Sequence, residues 1–329
     1  MNVLFIGGTG IISSACSELA ISKGITVYHL NRGKSKNIRK IEGVIEITAD
    51  IRNSEACKKA LEGLTFDSVV DWISFVPEHI ESNIEIFKNS TKQYIFISSA
   101  SIYQTPPQQL PVTENTPREN PIWEYSRNKI ACEDMLFDAY ANDAFPATIV
   151  RPSHTYDKTL LPIEGGYTVV QRIIDGKPIV IHGDGSSIWT LTHHTDFAKG
   201  LVGLLGNPKS IGEAYHITSD EWLSWNRIYE LLGEALGKTP IVVHIPSEKI
   251  AKYHKEMGDS LLGDKTHSMI FDNTKIKTLV PEFICTTPFE KGIYEVVEWY
   301  KQNPQFQIVN KDIDEAFDLM IKNELLITN

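Results

Sequence analysis

The stretch NVLFIGGTGIIS, residues 2–13, begins with apolar residues and breaks into three glycines before a helical pattern starts. Closely spaced glycines between a strand and a helix let a pyrophosphate approach the backbone and meet the unpaired amides of the helix N-terminus. We interpret Gly7, Gly8 and Gly10 as such a dinucleotide-binding turn. Ser13 stands where the motif expects its third glycine, which predicts slightly looser packing of the helix on the strand.

Around this turn, short β-branched runs alternate with segments of helical period, which predicts a parallel sheet covered on both faces. We predict strands at 2–6, 25–30, 44–47, 68–73, 93–98 and 147–151. The expected fold class is α/β, a doubly wound Rossmann sheet with a smaller, discontinuous α+β substrate domain. The dinucleotide-binding domain is predicted at 1–155, with return segments near 190–220, and 156–329 is predicted to be mainly the substrate-binding domain.

Later segments have distinct local patterns. Residues 104–124 carry five prolines and therefore predict a long loop. GKPIVIHGDGSS, residues 176–187, predicts a hairpin-rich insertion. Amphipathic helices are predicted at 195–205, 226–238 and 311–326. We expect the last helix to pack on its own domain through the stripe of Ile313, Phe317, Met320, Ile321 and Leu325.

Composition excludes several classes of protein. The chain has 329 residues, 42% hydrophobic and 22% charged, which is typical of a folded, water-soluble protein. Its 42 acidic residues outnumber 32 Lys and Arg, so the surface field repels a phosphate backbone and no nucleic-acid partner is expected. The chain has no leader pattern and no apolar run of about 18 residues, so we expect a cytoplasmic location and no membrane partner.

The candidate metal ligands are poorly placed for a metal site. The four cysteines are scattered without the paired spacings of metal or redox sites. His193 and His194 are adjacent, and neighbouring side chains on a strand point to opposite faces. We therefore expect no bound metal.

The residues after the second predicted strand bear on the choice of cofactor. The sequence there is HLNRGKSK, with Asn31, Arg32 and Lys34 where an NAD-binding chain carries an acidic residue for the ribose. Cations favour the additional 2'-phosphate of NADP. We therefore predict NADP, with NAD as the alternative. A competing interpretation makes these residues solvated parts of a turn.

EYSRNKIACE, residues 124–133, places Tyr125 and Lys129 one helical turn apart. An ammonium beside a phenol favours the phenolate and predicts a lowered pKa, so that Tyr125 could act as an acid or a base. Upstream, a buried strand ends in Ser98, Ser99 and Ser101, at the edge where open parallel sheets bind ligands. These serines are candidates for a hydrogen bond to a reacting oxygen.

In this order and spacing, GGTGIIS, TADIRN, ISSASIY, YSRNK, RPSHTY and HHTDFAKGL resemble motifs of the extended short-chain dehydrogenase/reductase family of nucleotide-sugar epimerases and dehydratases. The resemblance covers residues 1 to about 240, and similar turns occur in a subgroup resembling chloroplast stem-loop RNA-binding proteins. It implies that Ser99, Tyr125 and Lys129 are catalytic. It implies substrate contacts from Ser101 and His154. It implies cofactor contacts from Gly7, Gly10, Ile11, Ile12, Asn31, Arg32, Asp50, Ile51, Lys129 and Pro152.

The resemblance implies an NAD(P)-dependent epimerase or dehydratase that acts on a carbinol or keto carbon of a nucleotide sugar. It also allows a homodimer, because the helix bearing Tyr125 pairs across a two-fold axis in many relatives. Two departures bear on the sugar: the family's Arg near Trp189 and Thr190 is replaced, and VVDWISF at 69–75 is bulkier than the usual turn. The alternatives are an NADPH-dependent ketoreductase of a non-sugar metabolite and a catalytically silent RNA-binding module.

Overall fold

The computed structural model describes the backbone of residues 1–33, 39 and 41–327 and the side chains through Glu324. Lys34 and the side chain of Leu325 lie outside the described residues. The strands are β1 Asn2–Ile6, β2 Thr26–Asn31, β3 Ile45–Thr48, β4 Ser68–Asp71, β5 Tyr94–Ile97, β6 Ala147–Pro152, β7 His154–Tyr156, β8 Ile179–His182, β9 Ile188–Trp189, β10 Leu191–His193, β11 Ala214–Ile217, β12 Leu223–Ser224 and β13 Val242–Ile245.

The α-helices are α1 Ile11–Ser22, α2 Ser54–Ala60, α3 Pro77–Phe87, α4 Glu124–Asp143, α5 Tyr167–Ile174, α6 His194–Leu204, α7 Trp225–Leu236, α8 Ser247–Tyr253, α9 Lys255–Ser260, α10 Thr274–Leu279, α11 Phe289–Gln302 and α12 Lys311–Ile327. Short 3-10 turns occupy Ala100–Ile102, Pro208–Ser210 and Pro304–Phe306. A π-helical turn, Leu261–Lys265, follows α9.

Seven parallel strands form the central sheet in the order β11-β6-β5-β4-β1-β2-β3. All six predicted strands are present, with bounds within two residues of those expected. The strand order reverses between β1 and β4. In doubly wound sheets a ligand crevice opens at such a point, at the carboxyl ends of the strands. The predicted Rossmann sheet is therefore confirmed.

Both faces of the sheet are buried, as the continuous apolar strands require. Alternate residues of β1 face opposite sides, so Val3 and Phe5 join the core with α1 and α6. Leu4 and Ile6 join the core on the other face, which contains residues of α2, α3 and α4. This two-sided burial fixes β1, and hence the glycine turn that follows it, at the centre of the molecule.

A further hydrophobic core, separate from those on the two faces of the sheet, includes residues of α5, α7, α11 and α12. The predicted tail stripe packs there, with Phe317, Met320 and Ile321 buried. The predicted hairpin at 176–187 is wrong, because β8 pairs in parallel with the distant β13. Gly183 and Gly185 do form a turn with positive φ, but it leads onward to β9 instead of returning along β8.

The chain returns to the Rossmann sheet after residue 155. Helix α6 and strand β11 complete it, within the predicted return near 190–220. Ile276 of α10 and the nearby Phe283 join the same core, a second return that the sequence patterns did not indicate. Within the described residues, no helix combines the length and the apolar character that crossing a bilayer requires.

Candidate active site

The glycine turn after β1 is closely packed against its neighbours. Gly7 has φ +85°, and a Cβ there would lie 2.5 Å from Cγ2 of Ile73. The Ser13 hydroxyl accepts a 2.7 Å hydrogen bond from the Gly10 amide and donates at 3.3 Å to the Gly7 carbonyl. The Ser13 hydroxyl thus bridges two of the glycines of the turn, while the expected looser packing of the helix on the strand stays a prediction.

A cavity of about 300 Å³ adjoins this turn. Five predicted cofactor residues line it: Gly7, Gly10, Asn31, Arg32 and Ile51. Ile11 begins α1 beside them, where the first helical amides have no intrahelical partner. Asp50 is outside the lining, and its carboxylate accepts a 3.1 Å hydrogen bond from the Arg52 amide.

Charged residues of both signs lie at and near the Asn31–Arg32 end of this cavity. Arg32 is exposed there, and Asn31 donates a 3.3 Å hydrogen bond to Glu46. Arg52 donates to the Ile73 carbonyl at 2.5 Å. Burial lowers the pKa of Arg52; the charges of Asp71 and Asp50 oppose this, and the positive charge of Arg32 adds a smaller lowering. The two guanidinium groups therefore act on the same region.

A second cavity, of about 400 Å³, opens at the carboxyl ends of β4, β5 and β6. We call it the substrate cavity. The predicted residues that line it are Ile12, Ser99, Ser101, Tyr125, Lys129, Pro152 and His154. The fold thus brings together predicted residues from four separate segments of the sequence, including every predicted catalytic side chain.

The side chains of Ser126, Ser101 and Ser99 are linked by hydrogen bonds. Ser126 donates to the Ser101 hydroxyl at 2.8 Å, and the Ser101 hydroxyl lies 2.9 Å from that of Ser99. The Ser101 amide also donates to Ser99 Oγ, at 3.2 Å. Either hydroxyl of the Ser99–Ser101 pair can donate to the other, and when Ser101 donates, the hydrogen of Ser99 is available to an oxygen in the cavity.

Lys129 is bound to two backbone carbonyls of the cavity wall. Its Nζ donates to the carbonyls of Ser74 at 2.7 Å and Ile97 at 2.8 Å, and it lies 5.8 Å from the centre of the Tyr125 ring. Burial lowers the pKa of Lys129 to about 8, opposed by the charge of Asp71. The lysine therefore ties together the ends of two strands.

Burial raises the pKa of Tyr125 to about 12, although an interaction with the Ser99 hydroxyl opposes the rise and Asp264 adds to it. The predicted lowering of this pKa by Lys129 is wrong. Desolvation of the phenolate outweighs an ammonium that is already bound to two carbonyls. Tyr125 is therefore a neutral phenol at neutral pH, suited to donating a proton.

Asp71 supports this arrangement and was missed by the sequence reasoning. Its carboxylate accepts hydrogen bonds from Tyr94 at 2.6 Å and Asn83 at 2.9 Å. It also accepts the Ser74 amide at 3.0 Å, which fixes the carbonyl group that receives Lys129. A charged residue inside the apolar run VVDWISF was the available signal, because a buried carboxylate needs partners.

A model of the NAD dependent epimerase/dehydratase family matches residues 3–218, well over half of the chain. The chain belongs to this family. The match confirms the resemblance drawn from the motifs, and with it the enzyme class and a nicotinamide dinucleotide as cofactor. The NAD dependent epimerase/dehydratase family includes proteins of several activities.

Two curated relatives illustrate that range. A 2'-dehydrokanamycin reductase of Streptomyces kanamyceticus is 25% identical over 287 residues, covering 86% of this chain and 80% of the relative. The chloroplast stem-loop binding protein of 41 kDa b of Arabidopsis thaliana is 26% identical over 258 residues, covering 74% of this chain and 65% of that protein. The chain thus spans just under two thirds of the chloroplast relative.

A solved structure has the same fold. It is UDP-glucuronic acid 4-epimerase from Bacillus cereus in complex with UDP-glucuronic acid and NAD, with a TM-score of 0.74 at 20% identity. The superposition covers 92% of this chain and 99% of that structure. The glycine turn of this chain leaves no room for a side chain at Gly7, since an added Cβ would collide with Ile73.

His193 and His194 do not point to opposite faces of a strand, as the sequence predicted. His193 ends β10 and His194 begins α6, so the chain turns between them and their ring centres are 4.5 Å apart instead of on opposite faces. Burial lowers the pKa of both rings, that of His194 to about 4. In the part of the chain that the structure describes, no group of three or more ligating side chains is placed to hold a metal ion.

Proposed function

We propose that this chain is an NADP-dependent oxidoreductase that interconverts a keto group and the corresponding carbinol. Tyr125 is the proton donor for reduction. The observation that supports this best is the convergence of Ser99, Tyr125 and Lys129 on one cavity next to the glycine turn. When bound, the nicotinamide coenzyme supplies or accepts the hydride. The protein's own residues must then place the oxygen and move its proton.

Each residue has a defined role in this proposal. Ser99 donates a hydrogen bond to the substrate oxygen and orients it toward Tyr125. Tyr125 transfers its phenolic proton to that oxygen as negative charge develops during reduction. Lys129 fixes the ends of β4 and β5 through its hydrogen bonds to the Ser74 and Ile97 carbonyls. In the oxidative direction the same tyrosine accepts the proton.

The reductive direction has one support among the relatives. The 2'-dehydrokanamycin reductase is a relative over most of both chains. The epimerase alternative differs in one respect: the reduced cofactor stays bound while the keto intermediate turns over, whereas a reductase releases it in each cycle.

We assign the cavity of about 300 Å³ beside the glycine turn to the cofactor and call it the cofactor cavity. The preference for NADP rests on the charged residues at its Asn31–Arg32 end. Asn31 and Arg32 stand where NAD-binding chains use an acidic residue, and Arg52 adds a second cation nearby. A 2'-phosphate carries charge that such a pair attracts. NAD, a cytoplasmic location and a homodimer through α4 stay predictions.

The test is NADPH consumption with a panel of keto compounds, comparing the wild-type enzyme with Tyr125→Phe. Tyr140→Phe is the matched control, because Tyr140 lies on the same helix and is 40% exposed. We expect turnover in the wild type and in the control, and none above background in Tyr125→Phe. Full activity of Tyr125→Phe would contradict the proposal. Recovery of stoichiometric, non-exchanging cofactor would favour the epimerase.

A further inference from the structure

The substrate cavity contains a carboxylate that the protein does not neutralise. Asp264 lines the cavity and belongs to the π-helical turn Leu261–Lys265. Among the described residues, no donor forms a hydrogen bond or a close ion pair with this carboxylate; the cavity lysine next to it in sequence acts only at longer range. Single π-helical turns within helices are frequent at functional sites.

This turn is fixed relative to the catalytic serines. Asn120 donates one hydrogen bond to the Gly263 carbonyl at 2.6 Å and another to the Ser101 carbonyl at 2.9 Å. Gly263 packs on Trp123, so closely that a Cβ there would lie 2.6 Å from the Trp123 Cβ. The backbone next to Asp264 is therefore held in place, and Asp264 lines the same cavity as Ser101 and Tyr125.

The cationic side chains of the cavity already have hydrogen-bond or ion-pair partners within the protein. Lys129 is bound to two carbonyls, and Lys265 contacts Ser260 at 2.5 Å and Glu164 at 3.3 Å. His154 accepts from Trp189 at 3.4 Å, and burial lowers its pKa to about 3, so it is neutral. No arginine is among the described lining residues. A diphosphate would therefore meet an uncompensated carboxylate and find no available cation.

The walls of the cavity are rich in aromatic rings, of which Phe75 and Trp123 already lie against the ammonium groups of Lys129 and Lys265. Trp72, Phe75, Trp123, Trp189 and Phe271 all line it. Aromatic faces attract ammonium groups through their quadrupoles, more strongly where water is excluded. An unpaired carboxylate among aromatic rings is thus complementary to an ammonium group and unfavourable for a phosphate.

We propose that the substrate of this cavity carries an ammonium group, as an amino-substituted polyol or ketone does, and that Asp264 is its counter-ion. This inference rests on the proposed function for the chemistry at the keto carbon, and it departs from the nucleotide-sugar expectation. The carboxylate fixes the ammonium, and Ser99 with Tyr125 then addresses an oxygen elsewhere on the same molecule. Asp264 is a binding residue in this scheme and transfers no proton.

The experiment compares matched probes by ligand-observed NMR titration of the full chain with saturating NADPH. The probes are glucosamine, glucose, N-acetylglucosamine and UDP-glucose, of which only the first carries an ammonium group. We expect glucosamine to bind about ten-fold tighter than glucose or N-acetylglucosamine, as a charge-assisted contact in a partly desolvated site implies. Tighter binding of UDP-glucose than of glucosamine would overturn the proposal.

Variants of Asp264 test whether this residue causes the tighter binding of glucosamine. In Asp264→Asn the advantage of glucosamine should fall to within about two-fold, while Asp264→Glu retains part of it. Asp138→Asn is the matched control, because Asp138 is exposed on α4 away from the cavity. A preference that survives unchanged in Asp264→Asn contradicts the assignment. If that variant does not fold, the wild-type ranking of the four probes still decides.

Failure of this inference and failure of the proposed function have different signatures. Tyr125→Phe should lose turnover and keep the ammonium preference. If no keto compound is reduced but the preference depends on Asp264, the proposed function fails and the amine site stands. If neutral keto compounds are reduced as well as amino-substituted ones and Asp264→Asn is silent, the amine site fails and the function stands.

Discussion

The cofactor cavity and the substrate cavity share one edge of the sheet but are built in different ways. The first is formed by residues near β1 and β2 together with a few from the next turns, and backbone geometry defines much of it. The second collects side chains from β4 through the π-helical turn and on to Phe271. A local motif therefore specifies the cofactor side, whereas only the complete fold specifies the substrate side.

Tyr125→Phe should separate the two regions most strongly. The phenyl ring retains the packing against Trp123, at 5.0 Å between ring centres, but has no proton to donate. We expect a loss of about 10³-fold or more in kcat, within the range for removing a general acid. The affinity for NADPH, measured by fluorescence titration, should change less than about two-fold. A parallel loss of cofactor affinity would show that the two cavities are not separable.

Gly7→Ala should have the opposite effect and damage the cofactor side. The positive φ strains any L side chain, and the new methyl group would collide with Ile73. We expect the Kd for NADPH to rise about ten-fold or more, with a loss of about 1 to 3 kcal/mol in the free energy of unfolding. Gly24→Ala is the control, because Gly24 also has a positive φ but open space around it.

An effect of Gly24→Ala on NADPH binding as large as that of Gly7→Ala would contradict this reasoning. The strain of positive φ alone would then explain the loss. The close approach of the turn to Ile73 would have no specific role in holding the cofactor.

How much the sequence could predict follows the same division. The strand-turn-helix pattern around Gly7 indicated the Rossmann sheet correctly, because apolar periodicity and glycine spacing are local properties. The raised pKa of Tyr125 was not foreseen, because it depends on burial by segments distant in sequence. Asp264 and Asn120 carried no motif, since their roles arise only when α4 and the π-helical turn come together.

Asp264→Asn should show that the ionised carboxylate in the substrate cavity lowers the stability of the folded protein. Burial raises the pKa of Asp264 to about 6. Between about pH 4 and 6 the folded state retains a proton that the unfolded state has lost, so this group's contribution to stability falls as pH rises through that window. The cost is fully present above about pH 6 and absent below about pH 4.

Removing the charge should therefore stabilise the ligand-free protein at pH 7.5, by about 1 to 3 kcal/mol after allowance for partial exposure, with little effect at pH 4. Urea unfolding of wild type, Asp264→Asn and Asp138→Asn at both pH values measures this. A stabilisation of equal size at both pH values would mean that ionisation of Asp264 is not its cause. The expected result is that a residue retained for binding lowers stability, as is common at functional sites.

Arg32→Ala should have the smallest effect, confined to one end of the cofactor. Losing one exposed phosphate contact is expected to weaken NADPH binding about ten-fold and leave NADH binding nearly unchanged, so NADH is the internal control. Arg52 remains in place, bound to the Ile73 carbonyl, and should preserve part of the preference. The ratio of the two Kd values at low and high salt measures the effect, since screening should reduce it. Equal losses for NADH and NADPH would place Arg32 at a phosphate common to both cofactors, and the assignment to the 2'-phosphate would then be wrong.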